Sequence, residues 1–295
     1  MHAFEYGLRP LDFKTARPAT PGFSRRGFLT ATLASGFALA AHPLRAQTIT
    51  TDSDGLVAGE VQVPVADGHI PAYRAMPATG NGFPVLLVVQ EIFGVHRHLQ
   101  DVCRRYAKQG YYAIAPEMFV RQGDVSGMTD VGAILSEVVS KVPDAQVMSD
   151  LDATVAYADS TGKVDAGRLG IIGYCWGGRT VWLYAHHNPA VKAGVAYYGL
   201  LNGMKGPIKP VDPVDIAAEL KVPVLGLYAG ADAYIHNDAL VAMRAGLRQG
   251  RTDSEIIVFP GVQHGFNADY RPSYDRVAAE YAAGLARGWL SDHGV

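Results

Sequence analysis

Cysteine is scarce: Cys103 and Cys175 are the only two in 295 residues. That count excludes a disulfide-stapled scaffold, and the lack of a Cys-x-x-Cys pair speaks against a dithiol redox protein. No internal repeat and no low-complexity tract occurs, which removes solenoids and disordered arrays. Long hydrophobic runs are missing too. The most apolar N-terminal stretch, Phe28 to Ala41, falls short of the roughly 18 to 20 residues needed to cross hydrocarbon.

That stretch follows Ser24-Arg25-Arg26-Gly27, and paired arginines ahead of a modest apolar, small-residue run are the layout of a twin-arginine export signal. The reading gives a signal peptide over 1–46 with Ala46 before the cleavage point, a linker over 47–58, and one domain over 59–295. It implies transient contact with the twin-arginine machinery and a periplasmic or secreted protein. Positive charge is then in short supply. Residues 1–46 hold six basic and two acidic side chains, leaving 20 Lys+Arg against 26 Asp+Glu, a net charge of −6. Such a surface is a poor match for a phosphate backbone, so nucleic acid is excluded as a partner.

What is present is a hydrophobic content of 48%, enough for one sizeable core. Glu60 to Val65 and His69 to Met76 flank Ala66-Asp67-Gly68 and predict a hairpin, which Pro64 and Pro71 place at a sheet edge. Continuous apolar runs then follow at 84–90, 111–116, 169–173, 191–198, 222–229 and 255–259. Helix-length segments lie at 99–109, 145–160, 178–187, 239–249 and 275–292. Continuous rather than alternating apolar strands, separated by helices, predict a doubly wound, mostly parallel α/β sheet with helices on both faces. The stretches 117–143 and 202–213 are expected as loops over the strand ends where ligands bind.

The densest chemical signal is Gly173-Tyr174-Cys175-Trp176-Gly177-Gly178, directly after a strand and before a helix. This is the nucleophile-elbow pattern of the α/β-hydrolase fold with cysteine in place of serine. A thiol with a reference pKa of about 8.5 gains thiolate character at a helix N-terminus beside a base. Chain order then calls for an acid and a histidine after later strands, which Asp232 and His264 satisfy. Asp238 competes for the acid role, and His96, His98, His186, His187 and His236 are less well placed than His264. Trp176 and Ile92 are candidate backbone donors to an oxyanion. Cys103 reads as a buried small hydrophobe.

Taken together, Gln90-Glu91-Ile92-Phe93-Gly94-Val95, the Cys175 elbow, Asp232, His264, the segment Ala115 to Gln122 and Tyr197-Tyr198-Gly199 resemble the dienelactone hydrolase (carboxymethylenebutenolidase) family from about residue 60 onward. The resemblance implies a lactone or enol-ester hydrolase working through a thioester on Cys175, with no metal or organic cofactor. It implies that Glu91 pairs with the resting cysteine and that Arg121 binds a substrate carboxylate. A second carboxylate-binding arginine, expected four residues after the histidine, is absent, because position 268 is alanine; Arg271 stands three residues further on. Phe93, Tyr174 and Tyr198 complete the expected substrate lining, and the protein is expected to be a monomer. The alternatives are a broader periplasmic carboxylesterase with the same triad, and a non-catalytic binding protein on the same fold.

Overall fold

A computed structural model describes residues 49–295. The expected export signal lies outside the described residues. The span read as a linker is shorter than expected, because β1 already begins at Leu56. Ahead of it, the Thr51 amide donates to Asp101 Oδ1 at 2.5 Å, tying this entry segment to the domain.

The hairpin forms from β1 (Leu56–Val65) and β2 (Gly68–Pro77). It leads into β3 (Phe83–Val89), α1 (Arg97–Ala107), β4 (Tyr112–Pro116), α2 (Asp144–Ser160), β5 (Val164–Tyr174) and α3 (Trp176–His187). The chain ends with β6 (Val191–Tyr197), β7 (Val224–Ala229), α4 (Asn237–Gln249), β8 (Glu255–Phe259) and α5 (Arg276–Asp292). The segment 117–143 is less irregular than expected, carrying short helical turns at Val131–Ala133, Ile134–Val138 and Val139–Lys141.

The sheet order is β1-β2-β4-β3-β5-β6-β7-β8. β2 runs antiparallel to both β1 and β4, and every pairing from β4 to β8 is parallel. The hairpin therefore sits at one edge, as its prolines suggest, but only β1 is the edge strand. Pro71 on β2 is accommodated because β4 pairs only with Ala72 to Ala75, leaving the proline beyond the shared ladder.

Helices cover both faces. A Cβ on Gly170 would meet Val295 and Leu290, whereas one on Gly173 would meet Gly177 and Val181 of α3. Residues an odd number apart on a strand face opposite sides, so α3 and the C-terminal α5 flank β5 on opposite faces. Tyr112 to Pro116 and Val224 to Ala229 are buried throughout, as parallel strands covered on both sides must be.

The order β4-β3-β5 contains a switch point. From β3 the chain turns one way to β4 and then crosses back to β5 on the other side, so the loops leaving β3 and β5 diverge around a crevice. Those two loops carry Glu91-Ile92 and Cys175. The helix leaving the second loop is anchored from below. Arg179 is fully buried and donates to both Asp144 oxygens, at 2.8 and 2.9 Å, and to the Val211 carbonyl at 2.8 Å. A buried guanidinium with this many acceptors locks α3 against the start of α2.

Candidate active site

Cys175 stands at the apex between β5 and α3 with φ 53° and ψ −111°. A non-glycine residue in this region is strained, and strain of this kind collects at functional sites when the surroundings enforce it. Here the surroundings do. The Cys175 amide donates to the Tyr197 carbonyl at 3.0 Å. A Cβ on Gly177 would lie 2.4 Å from the Val89 carbonyl oxygen, and one on Gly178 would lie 2.4 Å from that of Tyr197. Both glycines are thus demanded by the approach of α3 to the ends of β3 and β6. Tyr198, the residue after β6, is the other non-glycine with positive φ among the described residues, at 36°.

The β7 and β8 exits bring the acid and the histidine together. Gly230 and Ala231 donate to the carbonyls of Phe259 and Val262, both at 2.8 Å, which ties the two exit loops side by side. Asp232 Oδ1 accepts from the amides of Tyr234 and Ile235 at 2.9 and 3.2 Å, and Oδ2 accepts from His264 Nδ1 at 2.8 Å. His264 packs between the rings of Tyr198 and Tyr234, each 5.0 Å away and edge-on. The Cys175 sulfur is within hydrogen-bonding reach of the imidazole. Burial alone would favour neutral His264. The Asp232 carboxylate and the Cys175 sulfur outweigh it, raising its proton affinity from 6.5 to about 10. A histidine that holds its proton next to a sulfur has the electrostatics of a thiolate–imidazolium pair.

A second buried group faces the same crevice. Glu91 Oε2 accepts from the Tyr270 hydroxyl at 2.5 Å, Oε1 lies 3.3 Å from Arg271 Nη2, and Arg271 Nε donates to the Tyr270 oxygen at 3.2 Å. The Arg271 guanidinium also lies over the Phe93 ring, 4.8 Å from its centroid. Burial would raise the Glu91 carboxyl, but Arg271, the Tyr270 hydroxyl and electrostatic attraction to His96 and His98 together hold it below the usual carboxylate range. Arg271 is itself held cationic, against burial, by Glu91, Tyr270 and the nearby Cys175.

The expected residues separate into two sets. Cys175, Asp232 and His264 come together, with Tyr198 against the imidazole and Ile92 buried in the neighbouring loop. Trp176 opens α3, so its amide is one of the first-turn donors lacking an intrahelical acceptor. Glu91 is in the crevice but faces Arg271 and Tyr270, not the sulfur as the resemblance implies. Arg271 does reach the group, close enough to feel the Cys175 charge.

Arg121 does not. Its guanidinium donates to both oxygens of Asp67, at 2.7 Å each, and to both oxygens of Asp150, at 2.7 and 3.0 Å. A fork filled by two protein carboxylates clamps the hairpin turn to α2. Tyr174 also departs from expectation. Its ring stacks on Tyr197, 4.9 Å away, and its electrostatic neighbours are Tyr106, Arg105 and Cys103, the last two of α1 and the first at its end, so it belongs to the layer beneath the sheet. Strand parity explains this, since Tyr174 points opposite to Gly173, which faces α3.

Tyr270, Tyr234 and His96 were not singled out for the site by sequence. All three sit in exit loops with no periodicity, where only tertiary contact reveals a role. Cys103 is fully buried and unbridged, and burial pushes its thiol far up, as a structural cysteine requires. Among the described residues, no three His, Cys, Asp or Glu side chains are grouped to hold a metal ion.

A mostly parallel, helix-covered sheet with a strained residue at the strand-to-helix elbow and an Asp–His pair after later strands defines an α/β-hydrolase. The dienelactone hydrolase family pattern matches residues 70–294, and the chain belongs to that family. A protein of Methylorubrum extorquens, provisionally named a carboxymethylenebutenolidase, is 56% identical over 296 residues, covering 100% of both chains. One from Escherichia coli K12, with the same provisional name, is 48% identical over 267 residues, covering 90% of this chain and 98% of its own. A crystal structure from Klebsiella pneumoniae, provisionally named a dienelactone hydrolase, superposes with a TM-score of 0.78 at 48% identity. It covers 80% of this chain and 98% of its own.

Proposed function

We propose that the protein hydrolyses a lactone or enol ester bearing a carboxylate, through a thioester on Cys175. The observation that carries this reading is the strained Cys175 facing His264, whose other ring nitrogen is fixed on Asp232. The Cys175 thiolate attacks the ester carbonyl carbon, and the displaced electron pair settles on oxygen, where the Ile92 and Trp176 amides stabilise it. Collapse breaks the ring C–O bond, and the departing enolate takes the proton held by His264. A water molecule then gives its proton to His264 and attacks the thioester, releasing the acid and restoring the thiolate. Asp232 holds the imidazole in orientation and stabilises its cation.

Arg271 supplies positive charge beside the sulfur for an anionic substrate, and Glu91, paired with it at 3.3 Å, holds that guanidinium in place. Steady-state comparison of cis-dienelactone with p-nitrophenyl acetate tests the substrate class. A kcat/KM at least tenfold higher on the lactone is expected; equal or higher efficiency on the simple ester overturns the lactone assignment in favour of a broad carboxylesterase. The Arg25-Arg26 segment extends the proposal to action outside the inner membrane. Recovery of active protein solely from the cytoplasmic fraction would refute that part.

A further inference from the structure

Glu117 is the first residue after β4, half-buried where the exits of the parallel strands β3 and β4 lie side by side. Its amide donates to the Pro71 carbonyl at 2.8 Å, which fixes its backbone against β2. Its Oε1 accepts the Val95 amide, 22 residues back in the loop that leaves β3. That loop carries Ile92 in a turn and then Gly94 with φ 75°. At Gly94 the two segments touch, since a Cβ there would lie 3.1 Å from Glu117 Oε1 and 3.2 Å from Val125. The start of the loop is held separately. Gln90 is fully buried, its Oε1 accepts the Met118 amide at 3.2 Å, and a Cβ on Gly177 of α3 would lie 2.6 Å from its carbonyl oxygen. The Val95 carbonyl accepts from Gln100 Nε2 at 3.3 Å, which leaves the Val95 amide to Glu117. Ile92 thus lies between a start fixed at Gln90 and a far end whose amide is fixed by Glu117.

We propose that Glu117 is a positioning residue that aims the Ile92 amide by holding the far end of the β3 exit loop. The proposal rests on the reading in which the Ile92 and Trp176 amides stabilise the oxyanion. A donor acts on developing charge only if it is aimed there beforehand, and a small misplacement forfeits most of its effect. Gly94, at left-handed φ and without a side chain, does not hold its own conformation, so the restraint comes from its neighbour. Without the carboxyl oxygen the Val95 amide must find another acceptor, and Gly94 is the pivot about which the loop turns to do so. Burial pushes the Glu117 carboxyl up while the Val95 amide works against it. Either protonation state offers an oxygen that can accept, so the role needs an acceptor of the right reach and not a charge. Acylation and deacylation both pass through an oxyanion, so loss of aim slows both and lowers kcat without changing KM. Alkylation of the Cys175 thiolate by iodoacetamide displaces iodide from a saturated carbon, develops no oxyanion and is indifferent to the Ile92 amide.

The test pairs steady-state hydrolysis of cis-dienelactone and p-nitrophenyl acetate with the rate of Cys175 alkylation by iodoacetamide. Glu117→Met keeps the length of the side chain and removes the acceptor. Its kcat should fall about 10- to 100-fold, short of the loss of a whole oxyanion donor, with KM within threefold and alkylation within twofold of wild type. Glu117→Gln keeps an acceptor oxygen at the same reach and should hold kcat within threefold of wild type. Glu117→Asp, whose carboxylate stops one methylene short, should lose kcat at least fivefold, and it decides the question if Glu117→Met does not fold. Wild-type kcat in the folded Glu117→Met protein, or alkylation that falls in step with kcat, overturns the proposal. Failure of the underlying reading looks different. The α-hydroxy analogue of isoleucine at position 92 puts an ester oxygen where the N–H stood and should lower kcat about 10²-fold. Unchanged kcat in that protein removes the Ile92 amide as an oxyanion donor; a loss there beside an unaffected Glu117→Met protein removes the role of Glu117 alone.

Discussion

Asp232 and His264, 32 residues apart in sequence, are joined by one 2.8 Å hydrogen bond donated by Nδ1 to Oδ2, while Asp232 Oδ1 is gripped by two backbone amides. The carboxylate cannot rotate without giving up those amides, so it dictates which ring nitrogen faces Cys175. Asp232→Asn presents a group that need not accept from Nδ1, and the imidazole loses both its tautomer and its counter-charge. A fall in kcat/KM of about 10²- to 10⁴-fold, with the fold retained by circular dichroism, is expected. A loss below threefold would show that the pair does not serve the reaction.

The same pair makes stability depend on pH. His264 binds its proton up to about pH 10 when folded but releases it near 6.5 when unfolded. With Cys175 a thiolate when folded and a thiol when unfolded, the two states hold equal protons between pH 6.5 and about 8.5; above that the unfolded thiol ionises while folded His264 keeps its proton, so the unfolding free energy falls as pH rises from about 8.5 towards 10. Urea unfolding at pH 6, 8 and 9.5 should show this decline, and Asp232→Asn should flatten it. A wild-type curve that is level across the window, or rises, contradicts the assigned linkage.

Arg121→Ala tests whether that guanidinium is a clamp or a substrate ligand. Its loss leaves Asp150, with a side chain only 3% exposed, without its ion-pair partner. We expect a loss of about 1 to 3 kcal/mol of stability with KM for the lactone within twofold of wild type. A tenfold rise in KM at unchanged stability would restore the carboxylate-binding role.

Much of this was legible in the sequence, for reasons that differ from residue to residue. The elbow was readable because Gly177 and Gly178 answer a hard steric demand, contact with the ends of β3 and β6, that no other residue type meets. Asp232 and His264 were readable because each follows directly on a continuous apolar strand, so their distance from the elbow is fixed by sheet order. Arg121 was misplaced because its partners, Asp67 and Asp150, are 54 and 29 residues away, beyond the reach of local pattern. Glu91 was expected beside the cysteine, but its partners in the structure are Tyr270 and Arg271. Tyr270 and Arg271 lie on an aperiodic loop whose path is set by tertiary packing alone.

The central claim, that Cys175 is the residue acylated during turnover, is tested most directly by acid quenching the enzyme milliseconds after mixing with lactone and mapping the peptides by mass. The account predicts an adduct of the whole lactone mass on the peptide carrying Cys175, appearing before product and absent from Cys175→Ala, which should not turn over. A different residue carrying the adduct, or a Cys175→Ala protein hydrolysing the lactone at the wild-type rate, would contradict it.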